Sequence, residues 1–576
     1  MTDIVYTKAQ EKAILTRNKN IIISAAAGSG KTRVLVDRVI SLVINEKVDI
    51  DSMIIVTFTN KASVEMKDRI REAFEEEMAK EGSDKIFLRR QIKLLKSSQI
   101  KTLHSFCSDM LREYFYLTDN ISPSFKVMNE NQASILRKDS IDEVFDRAYD
   151  AMTEDFKTFL HNFASSREDS VAREVIEKTY DFINSQVRPL VWLDEKTKEE
   201  ISLGFFIGYI REKLKDLEEE ALALVNYAIE KNMRPTYRET FESDYQAFKS
   251  LGEILDENQE ESLDEFLSRS KINFKRMPGK AKADDPEEKD YVKTIRDGYK
   301  DSYNKVLALT INTDQETLSI FNPIEKTVLG EINRLTKEFI ETYQRKKQEN
   351  NYLDFTDMEH RFIELLDKKE AVDKLKEAYA YIFFDEYQDS NEIQNYIIEK
   401  LKGADNLFFV GDVKQSIYGF RLAEPALFLE KLDFYEEDPL SERIDLNENF
   451  RTDKDLIRFN NYIFDRLMTK ESSNIDYKNG GHRLNPQKSF DQVENPKVQV
   501  SVLGKEINSE EYMVNLIEEI RKDGFDYRDI AILFRSSSKV YKYEQAFKTA
   551  NIPFFSDISK VSFDAVEVEF FINILK

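Results

Sequence analysis

At 576 residues the chain is too long for one ordinary core, so three or more domains or subdomains are expected, and a 41% hydrophobic share with 12% aromatics suffices to pack them. A formal net charge of −23 excludes nucleic-acid binding through a bulk positive field. Any DNA or RNA contact must come from a locally lined channel with stacking aromatics, drawn from the 40 Phe and 26 Tyr that are not core.

No stretch approaches the roughly 20 uncharged apolar residues of a membrane span, so no membrane is expected as a partner. The start, Met1 to Tyr6, lacks the basic and apolar regions of a secretory signal. The single cysteine, Cys107, excludes a disulfide framework or a multi-cysteine metal site within the chain and fits a cytoplasmic location.

An amphipathic helix opens at Tyr6 and runs through Ile14. Its Gln10 can both donate to and accept from an adenine edge, although taken alone it reads better as an exposed helix glutamine. Next comes Ile21-Ile22-Ile23-Ser24-Ala25-Ala26-Ala27-Gly28-Ser29-Gly30-Lys31-Thr32, a β-branched run that breaks into small residues and then into the amphipathic Arg33 to Ile40. That is strand, tight loop, helix. Gly28 and Gly30 permit backbone dihedrals and close approaches that a Cβ would block, so the loop can turn its N–H groups toward an anion. The helix N-terminus adds partial positive charge, Lys31 a mobile full charge, and the Thr32 hydroxyl a ligand for Mg²⁺. The pattern is a P-loop for a nucleoside triphosphate, with Ala25 where the first glycine of G-x-x-x-x-G-K-[ST] usually stands. A plain glycine-containing turn is the bland alternative, weakened by the strand before and the helix after.

Met53 to Thr59 reads as a second buried strand, Asn60 to Lys80 as a charged helix, and Ile100 to Phe106 as a third short strand ending in a polar loop. Alternating strands and helices imply a parallel α/β sheet. From about Phe125 to Tyr343 helical periodicity dominates. Acidic runs such as Leu217 to Glu220 and Asp256 to Glu261 read there as solvated helix faces, and the basic Lys275 to Lys282 as a surface loop before a nucleic-acid contact. The α/β pattern resumes with Tyr381 to Phe384 leading into Asp385-Glu386, Asn406 to Val410, and Arg443 to Leu446.

A carboxylate at a strand end commonly is only solvated. In one sheet with Lys31 and Thr32, however, Asp385 can hold a Mg²⁺ shell and Glu386 can orient or deprotonate water. Beyond Arg451, strands at Val498 to Val502 and Asp529 to Arg535 are expected to begin a second α/β domain. The helical pattern Val566 to Leu575 reaches the last residue without a cap, so the chain is expected to be cut inside an element.

Five further motifs, in order, carry a resemblance. They are Thr57-Phe58-Thr59-Asn60-Lys61-Ala62, Thr102-Leu103-His104-Ser105-Phe106-Cys107, Asp385-Glu386-Tyr387-Gln388-Asp389-Ser390-Asn391, Val410 to Arg421, and Asn447-Glu448-Asn449-Phe450-Arg451. With the P-loop they make the chain resemble the UvrD/Rep-type superfamily 1 helicases. Ser24 to Ala27 and the stretch Val413 to Pro425 look most like the AddA branch of the bacterial ATP-dependent helicase/nucleases.

The resemblance implies a RecA-like P-loop NTPase domain with a large α-helical insertion, followed by the start of a second RecA-like domain. The expected limits are 1–124 and 344–451 for the first domain, 125–343 for the insertion and 452–576 for the partial second domain. It implies ATP and Mg²⁺ as cofactors. Gln10, Ala25, Ala26, Ala27, Gly28, Ser29, Gly30, Lys31, Thr32, Arg33 and Phe450 would bind the nucleotide, with Thr32 and Asp385 on the metal. Lys31, Asp385, Glu386, Gln415 and Arg451 would be catalytic. Phe58, Thr102, His104, Tyr418, Phe420 and Arg421 would meet single-stranded DNA, Phe420 standing where near relatives have tryptophan.

The same resemblance implies 3′-to-5′ travel on single-stranded DNA, action at duplex ends in double-strand break repair by recombination, and a partner of the AddB type. Later helicase motifs and a nuclease domain are not found, so the chain is expected to be the N-terminal portion of a longer protein. The rivals are a general repair helicase without a nuclease, and a nucleotide-dependent DNA clamp without turnover.

Overall fold

The computed structural model describes residues 6–118, 121–165, 168–199, 203–255, 266, 269–279, 281, 285–310, 315–419, 423–488, 498–504 and 506–556. It divides into two compact units, one of residues 1–451 with 467–487, the other of residues 452–466 with 488–576.

In the first unit the strands are β1 (Asn20–Ala25), β2 (Met53–Val56), β3 (Gln99–Lys101), β4 (Lys126–Val127), β5 (Tyr352–Leu353), β6 (Tyr381–Phe384), β7 (Leu407–Gly411) and β8 (Ser441–Leu446). Six of them form one sheet in the order β3-β2-β6-β7-β1-β8, and every pairing in it is parallel. The register sets Ile22 opposite Phe409 on one side and Arg443 on the other, and Ile55 opposite Phe383. The central strands read as unbroken apolar runs because both faces are covered.

Successive residues therefore serve different cores. Ile21, Ile23, Ile55 and Phe383 pack with α2 (Lys31–Glu46) and α3 (Asn60–Ala79), whereas Ile22, Ile54, Phe384 and Phe409 pack with α5 (Leu103–Glu113) and the helices Phe355–Leu366 and Pro425–Glu437. Two shorter helices precede α5 in the chain, α1 (Lys8–Leu15) before β1 and α4 (Lys85–Leu94) before β3. The expected third strand is shorter than its pattern. Gln99–Lys101 is strand, but Thr102 caps α5, its hydroxyl accepting the Ser105 N–H, so His104 lies in the first turn of a helix and not in a loop.

The helical insertion hangs from a neck of two parallel strands, β4 and β5, with Lys126 opposite Tyr352. It holds two separate cores. One gathers Val144, Phe156, Ile176, Phe339 and Tyr343, the other Leu214, Tyr237, Phe248, Tyr299 and Tyr303. Within the second, Arg296 and Asp244 are each 1% exposed and joined by two hydrogen bonds of 2.6 and 3.0 Å. Glu219 and Glu220 lie exposed on the helix Leu203–Glu230, as the solvated-face reading expects, while 256–261 fall outside the described residues. Lys275 and Arg276 are exposed in an irregular segment; Lys280 and Lys282 lie outside the described residues.

The second unit corrects one expectation. Neither Val498 to Val502 nor Ile530 to Arg535 forms a strand; Val502 is 93% and Leu533 94% exposed. A strand pattern becomes a strand only when a neighbour supplies the ladder, and among the described residues none does. What orders this unit is a small core of Ile517, Phe547 and Ile552 between the helices Ser509–Lys522 and Val540–Thr549. The helix expected at Val566 to Leu575 lies outside the described residues.

Candidate active site

The loop after β1 is shaped by its neighbours. The Ala26 N–H donates to Leu446 O at 2.9 Å, the Asn449 Nδ2 amide to Ala27 O at 2.6 Å, and the Phe450 N–H to Gly28 O at 3.0 Å. Ala25 still sits in the sheet, opposite Leu446, with no left-handed backbone, so this position makes no demand for the usual glycine. Gly28 and Gly30 do make that demand, at φ +72° and +87°. Gly30 caps α2 without any side-chain hydrogen bond, which leaves the first N–H groups of that helix for an anion. The Ser29 hydroxyl is buried without a partner in the same loop. An unpaired hydroxyl, uncapped N–H groups and Lys31 together fit a polyphosphate.

Opposite stand the two carboxylates at the end of β6. Asp385 is 5% exposed, and burial, reinforced by the Glu386 charge, pushes its pKa up to about 7. Glu386 adopts φ +56°, a conformation rare for a residue with a Cβ, and its N–H donates to Asp385 Oδ1 at 3.1 Å. Lys31 Nζ lies 2.8 Å from Glu386 Oε2 and so joins the P-loop to the carboxylate pair. Thr32 and Asp385 line one cavity of about 390 Å³. Their hydroxyl and carboxylate oxygens are the donors a hard divalent cation takes, and a cation would reverse the rise in the Asp385 pKa.

Gln415 belongs to the turn after β7. Its Nε2 donates to Asp412 Oδ2 at 2.7 Å, and Asp412 also pairs with Lys414 at 2.6 Å. Gln10, 7% exposed, has both ends of its amide occupied by protein: Oε1 accepts the Thr7 N–H at 3.0 Å and Nε2 donates to Ser29 O at 2.9 Å. In this state it braces the phosphate loop. Arg33 is exposed and 3.5 Å from Asp37, Phe450 half-buried beside Gly28, and Arg451 exposed with its N–H on Asn449 Oδ1 at 2.9 Å.

The cavity runs on from the carboxylates to Phe58 and Tyr418, whose rings lie 4.6 Å apart. His104 sits elsewhere on the same edge, its Nε2 3.3 Å from the buried Glu359 and its ring edge-on to Phe355. The Thr102 hydroxyl is engaged in the α5 cap with Ser105. Phe420 and Arg421 lie outside the described residues. Gln388, Asp412, Asn449 and Glu359 are site residues that sequence reasoning did not single out. Each acts through a contact distant in sequence or buried, and only their presence inside the quoted motifs or beside them hinted at it.

A P-loop at the end of a parallel strand, facing a carboxylate pair at the end of a neighbouring strand, defines a RecA-like P-loop nucleoside triphosphatase. Residues 6–436 match the UvrD/REP helicase N-terminal domain and residues 444–576 the UvrD-like helicase C-terminal domain, and the chain belongs to the UvrD/REP helicase family. Among curated proteins it is 33% identical to the AddA subunit of the ATP-dependent helicase/nuclease of Alkaliphilus oremlandii, over 99% of this chain and 51% of that protein. The protein of the same description from Alkaliphilus metalliredigens is also 33% identical, with 99% and 51% covered, and that from Listeria innocua 31%, with 100% and 51% covered. The chain thus spans about half the length of the curated relatives it matches.

Proposed function

We propose that this chain is the ATP-driven motor part of an AddA-type DNA helicase/nuclease, moving 3′ to 5′ on single-stranded DNA during double-strand break repair by recombination, in the cytoplasm and beside an AddB-type partner. The observation that carries the reading is the contact between Lys31 and Glu386 at one end of a cavity that reaches the Phe58 and Tyr418 rings at the other. Residues 1–124 and 344–451 would be one RecA-like domain, 125–343 its insertion, and 452–576 part of a second; the β4–β5 neck supports the insertion limits.

The residues divide the work. The loop from Ala25 to Thr32 cradles the phosphates, with Gln10, Arg33 and Phe450 toward the base and sugar. Mg²⁺ on Thr32 and Asp385 would supply charge neutralisation at the phosphate oxygens. Lys31 turns from Glu386 to the terminal phosphates and frees that carboxylate to orient a water and take its proton. Gln415 reads the γ-phosphate, and Arg451 offsets charge as it is transferred. Phe58, Tyr418 and His104 meet bases, with Thr102, Phe420 and Arg421 completing the strand contacts; stacking on rings tolerates any sequence, as a motor requires.

The test is ATP hydrolysis by this chain with and without single-stranded DNA, beside Lys31→Ala. DNA-stimulated hydrolysis that the substitution abolishes supports the motor reading. Nucleotide binding without DNA stimulation sinks it for this chain and leaves a clamp.

A further inference from the structure

Gln388 follows the carboxylate pair in the short turn Tyr387–Asp389 and is 2% exposed. Its amide is committed at both ends. Nε2 donates to Glu386 Oε2 at 2.9 Å and to Asp389 Oδ2 at 3.2 Å, while Oε1 accepts the Asp412 N–H at 2.8 Å. Gly411 makes the room, since a Cβ there would lie 2.8 Å from that Oε1. Asp412, 1% exposed, in turn holds the Gln415 amide. One side chain therefore spans from the proposed base to the residue that fixes the phosphate-sensing glutamine.

Glu386 Oε2 is also the oxygen that Lys31 contacts. Once Lys31 moves to a phosphate, Gln388 is the side-chain donor that the structure leaves on this oxygen among the described residues. We propose that Gln388 is a positioning residue: it holds the Glu386 carboxylate toward the attacking water after Lys31 departs and ties that orientation to the turn carrying Gln415. The inference rests on Glu386 acting as the base. The Lys31 contact then becomes an idle state of the cleft, in which the base is masked until nucleotide draws the lysine away. Displacement of a catalytic group by about 1 Å costs on the order of a hundredfold in rate, which sets the scale expected here.

The experiment compares DNA-stimulated ATP hydrolysis and the affinity for a fluorescent ATP analogue in the full chain, Gln388→Leu, Gln388→Glu and Glu386→Gln. Gln388→Leu should lower kcat about 10- to 100-fold with KM and nucleotide affinity within about twofold. Gln388→Glu keeps the shape and an acceptor for the Asp412 N–H but turns an anion toward Glu386, so its kcat should fall at least as far. A residue that merely packs would make the isosteric glutamate the milder change, and that order overturns the proposal. So does kcat within threefold of the parent, or nucleotide affinity lost in step with kcat. If the leucine variant does not fold, the isosteric glutamate carries the test alone. An active Glu386→Gln would instead refute the reading of the cleft and this inference with it, whereas an inactive Glu386→Gln beside normal Gln388 variants refutes Gln388 alone.

Discussion

Gly28→Ala and Gly30→Ala add the same methyl group two residues apart, and the structure gives them different costs. Both glycines sit at positive φ, +72° and +87°, so each alanine pays about 1 kcal/mol for left-handed backbone. At Gly30 the new Cβ meets Gln10 Nε2 at 3.4 Å, an ordinary contact. At Gly28 it falls 2.8 Å from Asn449 Nδ2 and 2.9 Å from Arg451 Cβ. Asn449 is 1% exposed and clamped between Ala27 O and the Arg451 N–H, at 2.6 and 2.9 Å, so it cannot yield without losing both bonds. At about 1 kcal/mol for each bond, Gly28→Ala should cost roughly 3 kcal/mol against roughly 1 for Gly30→Ala. Urea unfolding followed by helical circular dichroism measures the difference. Trp192, the only tryptophan, sits in the helical insertion and would report that part alone. Equal costs for the two alanines, within about 0.5 kcal/mol, would refute the claim that Asn449 and Arg451 hold the loop from the far side.

Other substitutions probe other parts. Phe58→Ala or Tyr418→Ala should weaken single-stranded DNA binding by about 1–3 kcal/mol while nucleotide affinity stays put; unchanged DNA affinity in both would remove the ring pair from the DNA path. Arg296→Met leaves the buried Asp244 charge uncompensated and should destabilise the insertion by about 3–5 kcal/mol in circular-dichroism melts, with the loss largely recovered in Arg296→Met with Asp244→Leu. His482 is buried near Lys414 and Arg443, and burial first, then those charges, hold its pKa down at about 4 against an ordinary 6.5. The folded chain therefore resists a proton that the unfolded chain takes up. Its contribution is complete above pH 6.5 and drains as pH falls toward 4, by up to about 3 kcal/mol, and His482→Gln should flatten stability over that window. An identical slope in the variant counts against this account.

Sequence carried far where function demands particular residues at fixed spacing. Lys31, Thr32, Asp385 and Glu386 announced themselves because a phosphate cradle needs glycine at positive φ and a strand-end carboxylate needs an apolar strand before it. What eluded it depends on partners hundreds of residues away. Asn449 matters through Ala27, Gln388 through Asp412, and Glu359 through His104, and nothing local to any of them says so. Gln10 shows the same limit, since its brace on Ser29 is invisible until the chain is folded. Thr102 misled for a different reason: an N-cap is extended in backbone, so a strand that runs into a cap reads one element too long. Val498 to Val502 misled because β-branched alternation states a preference that only a neighbouring strand can realise.

The strand order has a consequence for synthesis. β1 lies between β7 and β8, and β2 beside β6, so every strand made before the insertion, except at the β2–β3 contact, waits for partners made after it. The ribosome adds about 280 residues between Lys101 and Tyr381, which at about 5–20 residues per second is roughly 15–60 s. Through that interval the apolar runs around Ile22 and Ile54 have no sheet to enter while the insertion, with cores of its own, has everything it needs. The insertion should therefore be the first part of the nascent chain to resist protease. The nucleotide cleft, whose two walls come from opposite ends of this order, closes only after β8 has left the exit tunnel.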